Sequence, residues 1–163
     1  MPENKTPPAE RITASFKQLA VSSHDLTSAA DDLGRAISTL DAALKTLNLG
    51  VSAWHQIARN EEPHGSYWTR DIGYTKVSGK WGIALRKTSG YYPTAEHHEE
   101  VWLFSDAPRW MCIESVGKIP ELFEELIKRT EETTKKIRAK TTEAGDLAAA
   151  ISAAASEVAP KRN

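Results

Sequence analysis

The first third of the chain carries apolar residues at a regular seven-residue spacing. Ile or Leu recurs at every seventh position from Ile12 to Leu47, and a second series, which starts at Phe16, lies three or four residues from the first. This spacing is typical of a helix with one continuous apolar face, and it predicts the contact face, or seam, of a coiled coil.

The last third of the chain repeats the pattern with smaller side chains. From Phe123 to Val158 the seam positions hold many Thr and Ala residues, and no proline occurs from 121 to 159. The sequence therefore predicts a second long helix, which begins near Pro120. Because the two predicted helices are nearly equal in length and enclose a compact segment, we expect them to run antiparallel.

The predicted seam is the candidate interaction surface of the protein. The small side chains of the second helix cover the leucines of the first helix poorly, so we expect a second copy of the chain to complete the burial, with a dimer favoured. The seam residues are Ile12, Phe16, Leu19, Leu26, Leu33, Ile37, Leu40, Leu44, Leu47, Phe123, Leu126, Ile137, Leu147 and Ile151.

The central part of the chain predicts an antiparallel sheet. Segments 51–58, 67–77, 80–87 and 99–104 carry β-branched and aromatic residues, and Ser78-Gly79 predicts a tight hairpin turn between the second and third strands. Segment 88–98 predicts a long loop, and a short helix with a proline in its first turn follows the last strand.

These elements predict an α+β fold in which two long antiparallel helices, the coiled-coil arms, flank a small four-stranded antiparallel β-meander head with one short helix. The predicted organisation is a disordered N-terminus at 1–8, an N-terminal helix at 9–48, a β head at 49–106, a short helix at 107–117, a C-terminal helix at 118–158 and a disordered tail at 159–163.

Composition narrows the class of function. With 21 Lys and Arg against 22 Asp and Glu, the formal net charge is -1, which argues against nucleic acid as the main partner. The chain has a single cysteine, Cys112, and no apolar run long enough to cross a membrane. We therefore expect a cytoplasmic protein with no membrane partner.

The segment from Glu96 to Glu100 holds the best candidates for a metal site. His97, His98 and Glu99 have suitable ligand chemistry, but neighbouring residues of a strand point to opposite faces, so few of them can converge. A solvated loop is the favoured interpretation. No catalytic residue, cofactor-binding residue or cofactor is predicted.

The five tryptophans fit either the core of a small sheet or a ligand cage. Trp68, Trp81 and Trp102 fall on neighbouring predicted strands, where cross-strand aromatic pairs stabilise a sheet. We expect these three to form core, Trp110 to pack from the short helix, and Trp54 to be the exposed exception.

The plan of long helix, β-hairpins and long helix resembles that of the prefoldin chaperone subunits, which implies that such a chain could hold a client protein between its arms. The favoured function is a non-enzymatic coiled-coil interaction or scaffold protein, which self-associates through its helices and presents an aromatic-rich β head. The alternatives are a small-ligand-binding or catalytic head that the helices dimerise, and a prefoldin-like client-holding protein, so an enzymatic activity stays open.

Overall fold

A computed structural model describes residues 6–160. One 3₁₀ turn, Phe104–Asp106, follows the last strand, and a second, Val116–Lys118, joins the last two α-helices, so that the chain is helical almost without a break from Arg109 to Val158. No helix in the described range has the length and apolar content that crossing a membrane requires. In chain order the elements are α1 (Pro8–Leu47), β1 (Ala53–Glu61), β2 (Ser66–Val77), β3 (Lys80–Tyr91), β4 (His97–Leu103), α2 (Arg109–Ser115) and α3 (Ile119–Val158).

The four strands form one antiparallel sheet in the order β1-β2-β3-β4. β2 and β3 pair along their whole length and are joined by a turn in which Ser78 (φ 48°) and Gly79 (φ 84°) both have positive φ. Positive φ at both central residues matches the right-handed twist of the strands, which is why this short Ser-Gly connection suits a hairpin.

The loop between β3 and β4 is shorter than the sequence suggests. β3 extends to Tyr91, which pairs with Ser66, and β4 begins at His97. The ring of Tyr67 occupies the space where Gly90 has no side chain, and it stacks on Tyr92 with ring centroids 4.7 Å apart. This aromatic contact accounts for the added pairing at the end of the hairpin.

The hydrophobic core lies between one face of the sheet and the helices. Alternation along the strands places Ile72 and Tyr74 of β2 on the same face as Ile83 and Leu85 of β3. Ala53 of β1, Phe104 and side chains of the three α-helices contribute the rest of this cluster. The whole cluster comprises Ile37, Leu44, Ala53, Ile72, Tyr74, Ile83, Leu85, Phe104, Met111, Cys112, Leu122 and Leu126.

The prediction of two antiparallel coiled-coil arms flanking a head is wrong. α1 packs the C-terminal part of its length against β3, whereas α3 packs its first turns against β1 and β2. The two helices share only a small apolar cleft of about 220 Å³, where Leu44 and Leu47 lie near Phe123 and Leu126. The sheet offers each helix a larger apolar face than the Thr- and Ala-rich side of α3 could offer α1, so each helix packs on the sheet. The likeness to prefoldin therefore ends at the order of the elements.

Long parts of both helices extend beyond this packing. Every residue of α1 up to position 29, and every described residue from 135 onward, is exposed. The disorder predicted at the two ends falls mainly on residues 1–5 and 161–163, which lie outside the described range.

A part-buried polar contact joins α1 to the sheet. β4 ends at Leu103, opposite Ala84, so the next residue of β3, Ile83, has no β4 partner. The backbone N–H of Ile83 donates instead to Oδ1 of Asp41, at 2.8 Å, and Lys45 contacts the other carboxylate oxygen at 2.6 Å. The Asp41 side chain thus takes the place of a strand carbonyl.

Replacement of Asp41 by Ala tests this contact. Loss of the acceptor leaves a part-buried N–H unpaired, which costs about 1–3 kcal/mol in the free energy of unfolding. The measurement is urea denaturation at one fixed protein concentration. Asp41→Asn keeps an acceptor oxygen and should lose less, whereas Asp25→Ala, on the exposed part of α1, should change stability by less than about 0.5 kcal/mol. Equal losses for Asp41→Ala and Asp25→Ala would contradict this account.

Candidate functional site

A groove of about 920 Å³ lies between α1 and the start of β3. Leu26 and Leu33 line it from α1, Trp81 from β3, and Ile113 from α2. The groove is open along its length and mostly apolar, which suits a contact with an apolar side chain or helix rather than with a charged ligand.

The one thiol in the groove lining is unsuited to chemistry. Cys112 is nearly fully buried, and its Sγ donates to the carbonyl oxygen of Phe104 at 3.3 Å. Burial raises the pKa of the Cys112 thiol, so that the unreactive protonated form is favoured. The same groove edge holds Asp41, whose charge adds to burial in raising the pKa of the Tyr74 phenol.

An exposed apolar surface continues from this groove along α1. Its large side chains are each at least half exposed, with Ile12 at 68%, Phe16 at 69%, Leu19 at 64% and Leu26 at 50%. We call this surface the α1 stripe; it consists of Ile12, Phe16, Leu19, Ser23, Leu26 and Ala30.

The positions that flank the α1 stripe carry no charge. Charged residues in this part of the helix occupy only the outer face, for example at Lys17 and Asp25. An uncharged face this wide is typical of a helix whose contact with a partner is broader than the two-residue seam of a coiled coil. The flanking residues are Thr13, Ser15, Ala20, Ser22, Thr27 and Ala29.

The exposed part of α3 carries an apolar surface that charged residues interrupt. Four large side chains of one row are each more than half exposed, namely Ile137, Leu147, Ile151 and Val158, but Lys140 lies in the same row and Lys136 flanks it. Small residues fill most of the remaining positions. A partner that packs along this row would therefore also have to bury the charge of Lys140, which the α1 stripe does not require.

The structure divides the predicted seam into three groups. Ile37, Leu44 and Leu126 are buried against the sheet, and Leu33, Leu40 and Phe123 are partly buried there. The exposed members are Ile12, Phe16, Leu19, Leu26, Leu47, Ile137, Leu147 and Ile151.

Leu122 was missed by the seam assignment although it is fully buried. It lies one position before Phe123, and its spacing from Ile119 and Leu126 follows the three-and-four pattern of a helix that packs on a sheet. The apolar residues on both sides of the seam at the start of α3 are the sequence feature that could have identified Leu122 as buried.

The metal candidates lie on β4 and do not converge. His97 and Glu99 lie on one face of the strand, and His98 and Glu100 lie on the other, with Nε2 of His98 and Oε1 of Glu100 separated by 3.7 Å. Within residues 6–160, no group of three or more His, Cys, Asp or Glu side chains is placed to hold a metal ion.

Three of the five tryptophans, Trp54, Trp68 and Trp110, pack against the guanidinium group of an arginine. The guanidinium of Arg70 lies 4.1 Å from the ring centroid of Trp68 and 5.1 Å from that of Trp110, and its Nη2 donates to Oε1 of Glu114 at 2.6 Å. This cluster joins β2 to α2 through cation–π contacts and one ion pair. Trp81 and Trp102 pack at the border of the core, and Trp81 stacks on Tyr74.

A second arginine cluster covers the sheet face away from the helices. Trp54 lies over Gly73, where any side chain would clash with its ring, and Arg86 lies 4.2 Å above Trp54. Nε of Arg86 also donates to Oδ2 of Asp71 at 3.0 Å. Trp54 is thereby half-buried, and the cluster serves as a cover for this face of the sheet.

Comparison with protein families, with curated proteins and with solved structures finds no match to this chain.

Replacement of Arg70 by Ala tests how much its cluster contributes to stability. Arg70→Ala removes two cation–π contacts and leaves Glu114 without its cation, which should lower the free energy of unfolding by about 1–3 kcal/mol. Denaturant titration followed by tryptophan fluorescence measures the loss. Lys76→Ala, at an exposed position of the same strand, should have an effect of less than about 0.5 kcal/mol. An Arg70→Ala variant as stable as Lys76→Ala would show that the cluster contributes little.

Proposed function

We propose that this protein is a non-enzymatic interaction or scaffold protein that self-associates through its helical extensions and presents the aromatic-rich sheet. The observation that carries the proposal is the exposure of the α1 stripe, whose four large apolar side chains are each at least half exposed. A contiguous exposed apolar surface of this kind marks an interaction site on a folded protein.

Free-energy magnitudes favour burial of this surface by a second copy. Full burial of one large apolar side chain stabilises an assembly by about 1.5–3 kcal/mol. Four such side chains from each of two copies together exceed the lower estimates of the cost of association, which are about 4 kcal/mol. A dimer is therefore the smallest assembly that can bury the large side chains of the α1 stripe.

The helix itself also supports the proposal. Residues 8–29 of α1 make a helix about 33 Å long that touches little else in the chain, whereas most of the stability of a helix in a protein comes from the packing of its apolar face. Packing against a partner helix would supply the missing stabilisation. A cytoplasmic location is part of the proposal, supported by the single cysteine, which is buried as a free thiol.

A pair of neighbouring charge substitutions tests self-association. Light scattering after gel filtration should give twice the chain mass for the unmodified protein at micromolar concentration. Leu19→Glu places a charge in the α1 stripe and should give a monomer, whereas Lys17→Glu, two residues away on the outer face, should leave the dimer intact.

Two outcomes would contradict the proposal. One is an unmodified protein that is monomeric at all concentrations, which would leave the ligand-binding or catalytic head as the better candidate. The other is a Leu19→Glu variant that stays dimeric while its circular dichroism spectrum remains helical. The client-holding alternative stays a prediction.

A further inference from the structure

We infer that two copies of the chain pair through α1 in an antiparallel arrangement, related by a two-fold axis level with Val21. The inference depends on the proposed self-association, and it specifies the partner surface, the orientation and the register. It makes the α1 stripe its own binding partner, as in other two-fold symmetric interfaces.

The limits of the α1 stripe determine the register. Its first large residue is Ile12, because α1 begins at Pro8, and its last member is Ala30, because Leu33 and Ile37 already pack toward the sheet. The midpoint of this exposed segment is position 21. Antiparallel pairing about that midpoint brings every member of the α1 stripe into the contact and leaves out Leu33 and Ile37, which pack toward the sheet.

The same register matches large side chains with small ones. Residues equally distant from Val21 lie level with each other across the axis, so Leu19 meets Ser23 of the second copy and Ile12 meets Ala30. Only the layer of Phe16 with Leu26 joins two large side chains. Alternation of large and small residues in facing layers is what allows two helices to interdigitate without voids.

The flanking positions satisfy a constraint that a two-fold axis imposes. Near such an axis a residue faces its own copy, so a charged side chain there would meet a like charge. Ala20 and Ser22 are the flanking residues closest to the axis, and both are small and uncharged. Lys17 and Asp25 lie on the outer face, away from the contact.

α3 is less suited than α1 to this pairing. Lys140 lies within its apolar row, and Lys136 and Glu143 occupy flanking positions, so a close pair of α3 helices would bury charges. In addition, the antiparallel α1 pair places Ile12 of the second copy beside Ala30, which lines the large groove. The pairing thus closes the end of that groove with an apolar side chain.

Spin-label distances between the two copies test the orientation and the register. Single cysteines are introduced at the outer positions Ala14, Val21, Ser28 and Arg35 in a Cys112→Ser background, where the serine hydroxyl can still donate to the carbonyl of Phe104. In an antiparallel pair, the offset along the axis is near zero at position 21, about 21 Å at positions 14 and 28, and about 42 Å at position 35. The measured distance should therefore be shortest at 21, equal at 14 and 28, and longest at 35.

Each other result has a definite meaning. Equal distances at all four positions indicate a parallel pair, and a minimum away from position 21 indicates another register; either result overturns this inference while self-association stands. A dimer without measurable dipolar coupling at any position shows that α1 is not the contact surface. A monomer overturns both proposals. Addition of Leu19→Glu to the position 21 variant should abolish the short distance, and addition of Lys17→Glu should preserve it.

Discussion

The carboxylate of Asp41 determines how the N-terminal helix, α1, meets the sheet. β4 stops one residue short of Ile83, which leaves a backbone N–H at the edge of β3 that must be paired because it is part-buried. A side-chain oxygen from α1 pairs it, and this fixes both the height and the rotation of the helix on the sheet. Ile37 and Leu44, one turn to either side of Asp41, are consequently buried.

The position of that contact near the C-terminal end of α1 explains the exposed extension. The sheet is only as wide as its four strands, whereas a forty-residue helix is about 60 Å long. Once Asp41 is docked, the sheet can cover only the last turns, and the residues of α1 before Ala30 stay exposed. The same reasoning applies to α3, which is anchored by Leu122 and Leu126 near its first turn and extends from there.

The sequence predicted local structure better than it predicted contacts between elements. The Ser78-Gly79 turn and the alternation around Ile72 follow from local backbone and side-chain chemistry, so the hairpin could be located from sequence. The heptad spacing predicted which face of α1 is apolar, but Leu19 and Leu33 belong to the same row, and one is exposed while the other packs toward the sheet. Periodicity carries no information on which surface covers a face, so the sheet could not be distinguished from the other helix as partner.

The same limit applies to the aromatic residues. Trp68 was expected in the core and Trp54 at the surface, yet both are half-buried beneath arginines. A small sheet has room on its inner face for Ile, Leu and Met, and large rings at its margins can still lose water contact by stacking on a guanidinium. This leaves the helices as the main source of unsatisfied apolar surface. Along α1 the apolar row that packs on the sheet after Ala30 is continuous with the row that is exposed before it. One heptad repeat therefore supports packing within the chain and also offers a surface for packing between chains.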